Sequence, residues 1–102
     1  MTTRQTITIT FENAIRQADH IKDCSNSMKT EKQKINNLIS ELKSGWNSDS
    51  TGKYLEKCRI LADRIDKTSA NLDRVSSTIK TAATNYYRAE MQALDIIATK
   101  KL

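Results

Sequence analysis

The chain has 102 residues, of which 37% are hydrophobic, 28% charged and 5% aromatic, and it contains two glycines and no proline. This length suits a single domain, and the low aromatic fraction argues against a β-sandwich or a large globular core. Without proline, little in the chain interrupts an α-helix. No apolar run approaches the roughly 18 residues that cross a bilayer, so we expect no stable membrane insertion.

The first ten residues are polar and rich in threonine, and Ile7 and Ile9 alternate with threonines. This alternation predicts an extended leader over residues 1–10, with Thr10 as the N-cap of the first helix. We find no basic segment followed by an apolar core and a cleavage site. The sequence therefore predicts no cleaved Sec-type signal peptide.

An apolar residue recurs every seven positions through the next part of the chain, which predicts a first helix over residues 11–43. The members of this row are Ala14, Ile21, Met28, Ile35 and Leu42. Residues 44–50 form the predicted turn, in which Gly45 adopts a left-handed conformation that ends the helix. Asp49 or Ser50 is placed to cap the helix that follows.

A second apolar row alternates steps of four and three, and predicts a second helix over residues 51–97 with a tail at 98–102. This row comprises Tyr54, Cys58, Leu61, Ile65, Thr68, Leu72, Val75, Ile79, Ala82 and Tyr86. We expect the two rows to form the seam of an antiparallel two-helix hairpin, which is an all-α fold. A hairpin this thin usually pairs with another, giving a four-helix bundle.

Further apolar residues lie beside the two rows and are not used by that seam. They are Ile15, Leu55, Ile60 and one of Leu38 and Ile39. A second apolar flank is best buried against another chain, most simply in an antiparallel homodimer. The sequence therefore predicts these residues as candidates for a dimer interface.

The chain is basic, with a net charge of +5 and a pI of about 9.4. The acids and bases alternate at helical spacing, as in Asp63 with Lys67 and Asp66 near Arg64, which is typical of a solvated helix face. No groove-reading motif or aromatic stacking platform accompanies the charge. A basic nucleic-acid-binding helical protein is thus a distant alternative, and we expect no nucleic-acid partner.

The chain offers few residues for catalysis or metal binding. His20 is its only histidine, and Cys24 and Cys58 lie too far apart along a hairpin to form a disulfide, so we expect two free thiols. Two cysteines and one histidine do not make a metal site, and a thin hairpin lacks a concave pocket. The sequence predicts a protein that is not an enzyme and that binds no metal or other cofactor.

The predicted turn contains the only tryptophan, within Gly45-Trp46-Asn47-Ser48. An aromatic side chain here can simply shield the end of the helix seam from water. Together with the two heptad rows and the length, the turn resembles that of the WXG family of small ESAT-six-like proteins, helical hairpins with a Trp-x-Gly turn midway along the chain. Ser48 stands where the family has glycine, and because serine is small and caps helices well, the turn should persist.

The resemblance extends to the C-terminal part of the second helix. The relatives carry a Tyr-x-x-x-Asp/Glu element there, which is part of the signal for type VII secretion, and Tyr86 and Glu90 stand at the matching positions. In the relatives this element lies beside the partner chain's Trp turn in an antiparallel dimer. The resemblance implies that Tyr86, Glu90 and Trp46 act together across a dimer and are read by the secretion ATPase.

The resemblance implies a small, dimeric binding protein that is a substrate of a type VII (ESX-like) secretion system in a Gram-positive bacterium. Such a protein is made in the cytoplasm and secreted without a cleaved signal peptide, and it is associated with virulence or with effectors. The alternative is a helper that pairs with the helical N-terminal domain of a larger exported toxin and supplies its export signal. The partner is then either a second copy or a related WXG or toxin domain.

Overall fold

The chain is an all-α antiparallel hairpin, as the sequence predicts. The computed structural model describes residues 3–46 and 48–100, apart from the side chain of Lys100. Helix α1 spans Arg4–Gly45 and helix α2 spans Thr51–Lys100. Asn47 of the predicted turn lies outside the described residues, as do the ends of the predicted leader and tail.

The predicted extended leader is wrong for the part described, because α1 already begins at Arg4. Thr3, rather than Thr10, caps the helix. Its hydroxyl oxygen accepts a hydrogen bond from the Thr6 N–H at 3.1 Å, and its carbonyl oxygen accepts one from the Ile7 N–H at 3.0 Å. Ile7 is fully buried in the helix, and this burial outweighs the extended preference of the alternating threonines.

Gly45 ends α1 without the left-handed conformation that we predicted, since neither described glycine has a positive φ. The helical hydrogen bonding instead continues to the Trp46 N–H, which donates to the Leu42 carbonyl at 3.1 Å. The Thr51 hydroxyl then holds the turn together. It accepts a hydrogen bond from the Ser48 N–H at 3.0 Å and donates one to the Trp46 carbonyl at 3.2 Å.

Of the two predicted N-caps of α2, Ser50 occupies the position. Its carbonyl oxygen accepts the Tyr54 N–H at 3.2 Å, the first hydrogen bond of the new helix. Helix α2 continues to Lys100, so residues 98–100 of the predicted tail are helical.

The chain divides into two compact units, each built from a segment of both helices. The turn unit is Lys22–Asp73, and the terminal unit is Met1–Ile21 with Arg74–Leu102. In the turn unit the seam between the helices is made by the buried residues Ser25, Ala62 and Ser69. The Ser25 hydroxyl crosses the seam and donates to the Ser69 carbonyl at 3.0 Å.

The terminal unit has a seam of the same kind. Ile7, Ala18, Ser76 and Ala83 are buried there. The Ser76 hydroxyl donates to the Ala18 carbonyl at 2.8 Å, which mirrors the serine contact of the turn unit. Side chains this small let the two helix backbones approach closely enough for a hydroxyl to reach the opposite carbonyl.

The predicted seam row of α2 is therefore shifted by one position. Ala62, Ser69, Ser76 and Ala83 recur every seven residues and are buried, whereas the neighbouring Leu61 and Val75 of the predicted row are exposed. Four members of the predicted row, Cys58, Ile65, Leu72 and Ile79, are half-buried beside the seam. The reason is steric, because large side chains do not fit between closely packed helices and turn to one flank.

The opposite flank of the seam is closed by ion pairs between the helices. In the turn unit Asp66 pairs with Lys32 at 2.7 Å, and Asp73 pairs with both Lys22 and Lys29. In the terminal unit Asp19 pairs with Lys80 at 2.7 Å, and Arg4 pairs with Asp95. The predicted pairing of Asp63 with Lys67 within α2 is confirmed, at 3.1 Å.

Candidate interaction surface

Large apolar side chains stand exposed along one flank of the turn unit. Tyr54 and Leu61 of α2 are 52% and 50% exposed, and Leu38 of α1 is 46% exposed. Leu61 shares its helix face with the half-buried Cys58 and Ile65. An apolar surface of this kind on a small protein marks a site of interaction with another apolar surface. We call it the apolar flank.

The terminal unit carries an apolar groove of about 320 Å³. It is lined by Thr10, Phe11, Ala14, Ile79, Ala82, Ala83 and Tyr86, none of which is charged. The alanines leave room between the larger side chains, so the groove is open. The apolar flank of the turn unit instead has protruding side chains. Ala82 belongs to the same heptad row of the α2 sequence as Leu61.

The adjacent tyrosines of the terminal unit have different surroundings. Tyr87 packs against Phe11, with the ring centres 4.9 Å apart and the planes tilted by 42°. Tyr86 instead lines the groove and remains 38% exposed. Glu90 follows Tyr86 by one helical turn and is half-buried. The predicted signal pair thus lies along one helix face, and it is Tyr87 that packs across the seam.

Trp46 in the turn is partly shielded by Tyr54 and partly exposed to solvent. The Trp46 ring lies 5.3 Å from the Tyr54 ring and is tilted from it by 39°, yet 40% of the Trp46 surface is exposed. Ser48, which stands in place of the family's glycine, has its hydroxyl 3.2 Å from that of Thr51. Gly45 has open space where a Cβ would lie, so neither space nor backbone conformation requires a glycine at that position.

The predicted interface residues do not all lie on the apolar flank. Leu38 does, because it shares its helix face with Ile35 and Leu42. Leu55 is half-buried and belongs to the seam row, seven residues before Ala62. Ile60 is 44% exposed, but it shares its row with Lys53 and Lys67, away from the flank. Ile15 and Ile39 are half-buried.

Asp73 is the most strongly perturbed acid among the described residues. The Lys29 and Lys22 ammonium groups donate hydrogen bonds to its carboxylate and, with the nearby Ser25 hydroxyl, hold the pKa of Asp73 well below its ordinary value of 3.8. The nitrogens of Lys29 and Lys22 lie 2.8 and 2.9 Å from the Asp73 carboxylate, and the two lysines are two turns apart on α1. This arrangement fixes the carboxylate in the charged form and ties α2 to α1, so its role is structural.

The reactive residues do not form a cluster. His20 and Cys24 are exposed on α1, and Cys24 and Cys58 are both free thiols, as predicted. Among the described residues, no three His, Cys, Asp or Glu side chains are grouped to hold a metal ion. Within that same part of the chain, neither helix is long and apolar enough to cross a membrane.

Sequence reasoning missed the small buried residues that α2 contributes to the seam. Their signal is present, since Ala62, Ser69, Ser76 and Ala83 repeat every seven positions, as the predicted row does. Serine and alanine rank below leucine and isoleucine in hydropathy, so an apolar row one residue away dominated the pattern.

These features define a class of small helical hairpins that have an aromatic turn and an apolar flank open for pairing. The family model WXG100, described as proteins of 100 residues with WXG, matches residues 6–91. The chain belongs to this WXG100 family, as the sequence predicts. No curated protein and no solved structure matches the chain significantly.

Family membership supports a type VII secretion substrate of the ESAT-six kind. The proteins of this family are small secreted helical proteins and are not known as enzymes. They typically form helical dimers with partners.

Proposed function

We propose that the protein is a type VII secretion substrate that is exported as a helical pair and acts by binding rather than by catalysis. The observation that carries this proposal is the apolar flank, where Leu38, Tyr54 and Leu61 stand about half exposed. The hairpin cannot cover these side chains itself, because its own seam is made by small residues. Pairing through this flank gives a four-helix bundle, the arrangement in which such hairpins bury their apolar faces.

Tyr86 and Glu90 form the export signal in this proposal. Their spacing places an aromatic ring and a carboxylate one turn apart on α2, and the ring remains accessible. A secretion ATPase can recognise such a pair through apolar contact and charge together. In the paired state the partner's Trp46, itself 40% exposed, completes the recognised surface.

The substitution Glu90→Gln tests the signal. It removes the charge while keeping the shape and the helix propensity, so secretion should be lost while helicity and pairing persist. Comparison of culture supernatant and cell pellet, in a strain with an intact type VII system, measures the effect. Glu56→Gln is the matched control, because Glu56 is an exposed glutamate of the same helix, and it should be secreted normally.

Undiminished secretion of a folded Glu90→Gln protein would remove the acidic position from the signal. If a larger toxin disappears from the supernatant together with the Glu90→Gln variant, the chain is a helper that escorts that toxin, and its partner is the toxin's helical domain.

A further inference from the structure

We propose that the turn unit carries a second interaction surface, which docks the protein reversibly on an anionic lipid bilayer. This surface is one row of α2, made of Lys53, Lys57, Ile60, Arg64 and Lys67. We call it the outer row. Its members are separate from the apolar flank, so this inference goes beyond the proposed function.

The outer row lies on the side of α2 that faces away from α1. The seam residues of α2 in the turn unit include Leu55, Ala62 and Ser69. Each member of the outer row is two residues from one of them, which is about 200° around a helix of 3.6 residues per turn. All five members are exposed, and the row is about 21 Å long at 1.5 Å per residue.

The cations of the turn unit fall into two groups. Three lysines of α1 are held by acids of α2 in ion pairs across the seam. In the outer row Lys67 pairs with Asp63, but Lys53, Lys57 and Arg64 form no ion pair with any described residue. The row itself contains no acid. It therefore presents positive charge to a partner, and the complementary partner is anionic.

One end of the outer row is concave. A cavity of about 190 Å³ is lined there by Ser50, Lys53, Tyr54 and Lys57. This lining supplies two ammonium groups and two hydroxyl groups, all of which donate hydrogen bonds, and no carboxylate. Such a set of donors fits the several acceptor oxygens of a phosphate group.

Ile60 distinguishes a lipid bilayer from other anionic partners. Its apolar side chain is 44% exposed in the middle of the cations, where the backbone of a nucleic acid would leave it uncovered. The outer row also has no aromatic ring on which a base could stack. At a bilayer, an apolar side chain enters the boundary between headgroups and acyl chains, while lysine and arginine stems extend back to the phosphates.

The four cations determine the strength of the docking. Each lysine or arginine near an anionic membrane surface contributes roughly fivefold to the affinity. This contribution falls off within a Debye length, which is about 8 Å at physiological salt. Ile60 adds a smaller apolar contribution. The protein should therefore bind peripherally, and salt should release it.

Flotation of vesicles with the natural chain tests the docking. We expect the protein to float with phosphatidylcholine vesicles that contain about one third phosphatidylglycerol. It should stay in solution with pure phosphatidylcholine, and also at about 1 M salt, where the Debye length falls to about 3 Å. Failure to bind the anionic vesicles at physiological salt would overturn the proposal.

A pair of double variants locates the surface. Lys57→Gln combined with Arg64→Gln removes two cations of the outer row and should lower the partition coefficient about 25-fold. The matched control, Arg16→Gln combined with Lys34→Gln, removes the same charge from exposed positions of α1 and should lower it less than about threefold. Circular dichroism checks that both variants keep their helicity. Equal losses would show that net charge alone governs binding, and the outer row would be wrong.

Ile60→Ser tests whether the partner is a lipid. It keeps every charge of the outer row, and it should lower partition into the anionic vesicles roughly threefold or more, because the apolar contact is lost. Its binding to a single-stranded oligonucleotide should equal that of the natural chain. Unchanged vesicle binding by Ile60→Ser would contradict the bilayer and indicate a soluble polyanion instead.

The docking and the proposed export signal can fail separately. Glu90 lies outside the outer row, so a Glu90→Gln chain should bind the anionic vesicles as the natural chain does. Loss of vesicle binding in that variant would contradict the assignment of docking to the outer row, whatever the effect on secretion.

Discussion

Trp46 contributes to the turn through one aromatic contact and remains 40% exposed. We therefore expect Trp46→Ala to destabilise the hairpin by about 1 kcal/mol, below the 3 to 5 kcal/mol typical of a deleted core aromatic. Chemical denaturation at low protein concentration measures the change. A double-mutant cycle with Tyr54→Ala isolates the contact between the two rings. A destabilisation of about 3 to 5 kcal/mol, as for a core aromatic, would instead show that the Trp46 ring is buried in solution.

Asp73 gives the hairpin a defined response to acid. Its pKa is lowered in the folded chain, so the stability it provides is present above the ordinary value of 3.8 and is lost as the pH falls toward the folded pKa. Asp73→Asn should lower the melting temperature at neutral pH, and its difference from the natural chain should shrink as the pH falls below about 4.

Melting curves from neutral pH down to strong acid check this dependence. Asp63→Asn is the control, because Asp63 forms an exposed ion pair within α2, and pairs of that kind contribute little. A difference between Asp73→Asn and the natural chain that stayed constant with pH would show that ionisation of Asp73 does not matter.

At the scale of the helices, close approach along the seam makes small residues necessary. Ala83 is 8% exposed at the contact with α1, so Ala83→Leu should overpack the seam and destabilise the chain by about 1 to 3 kcal/mol. Ala70→Leu makes the same change at an exposed position of α2 and should be nearly neutral. Thermal or denaturant unfolding distinguishes the two, and a neutral Ala83→Leu would mean that the helices are further apart.

Periodicity predicted both helices and their antiparallel pairing, because two long helical rows joined by one short turn permit little else. It did not predict which row is buried. Leu61 outranks Ala62 in hydropathy, but the distance between the backbones decides which of the two fits, and that distance depends on the whole seam. The start of α1 was missed for a related reason, since burial of Ile7 depends on its partners in α2.

The candidate site was predictable to a similar degree. The positions of Tyr86 and Glu90 along one face follow from their spacing. The sequence placed one of Leu38 and Ile39 outside the seam without deciding between them, and the structure exposes Leu38. The groove could not be foreseen, because it exists only where Ala14 and Ala82 come together from separate helices. The burial of Leu55 and the outward position of Ile60 likewise depend on which row forms the seam.

In the whole molecule, the apolar flank holds larger apolar side chains than the seam does. The seam uses alanine and serine, together with Ile7, while many of the larger aliphatic and aromatic side chains lie on or beside the flank. Stabilisation by burial scales with apolar area, so the single chain gains modest stability from its own seam. Association through the apolar flank supplies a large part of the remaining stabilisation. The stability of the protein then depends on its concentration.

The small residues of the seam also determine how stability varies with temperature. The heat capacity of unfolding comes mainly from hydration of newly exposed apolar surface, at about +0.45 cal/K/mol for each Å². Separating helices that meet through alanine and serine exposes little such surface, so unfolding of a single chain should show a heat-capacity change below the usual ~12–15 cal/mol/K per residue. Differential scanning calorimetry of a Leu61→Asp chain, in which a charge on the apolar flank is introduced to prevent pairing, measures this value. The isolated hairpin should therefore have a broad, shallow stability curve that changes little between cold and warm conditions, while association supplies the temperature-sensitive part.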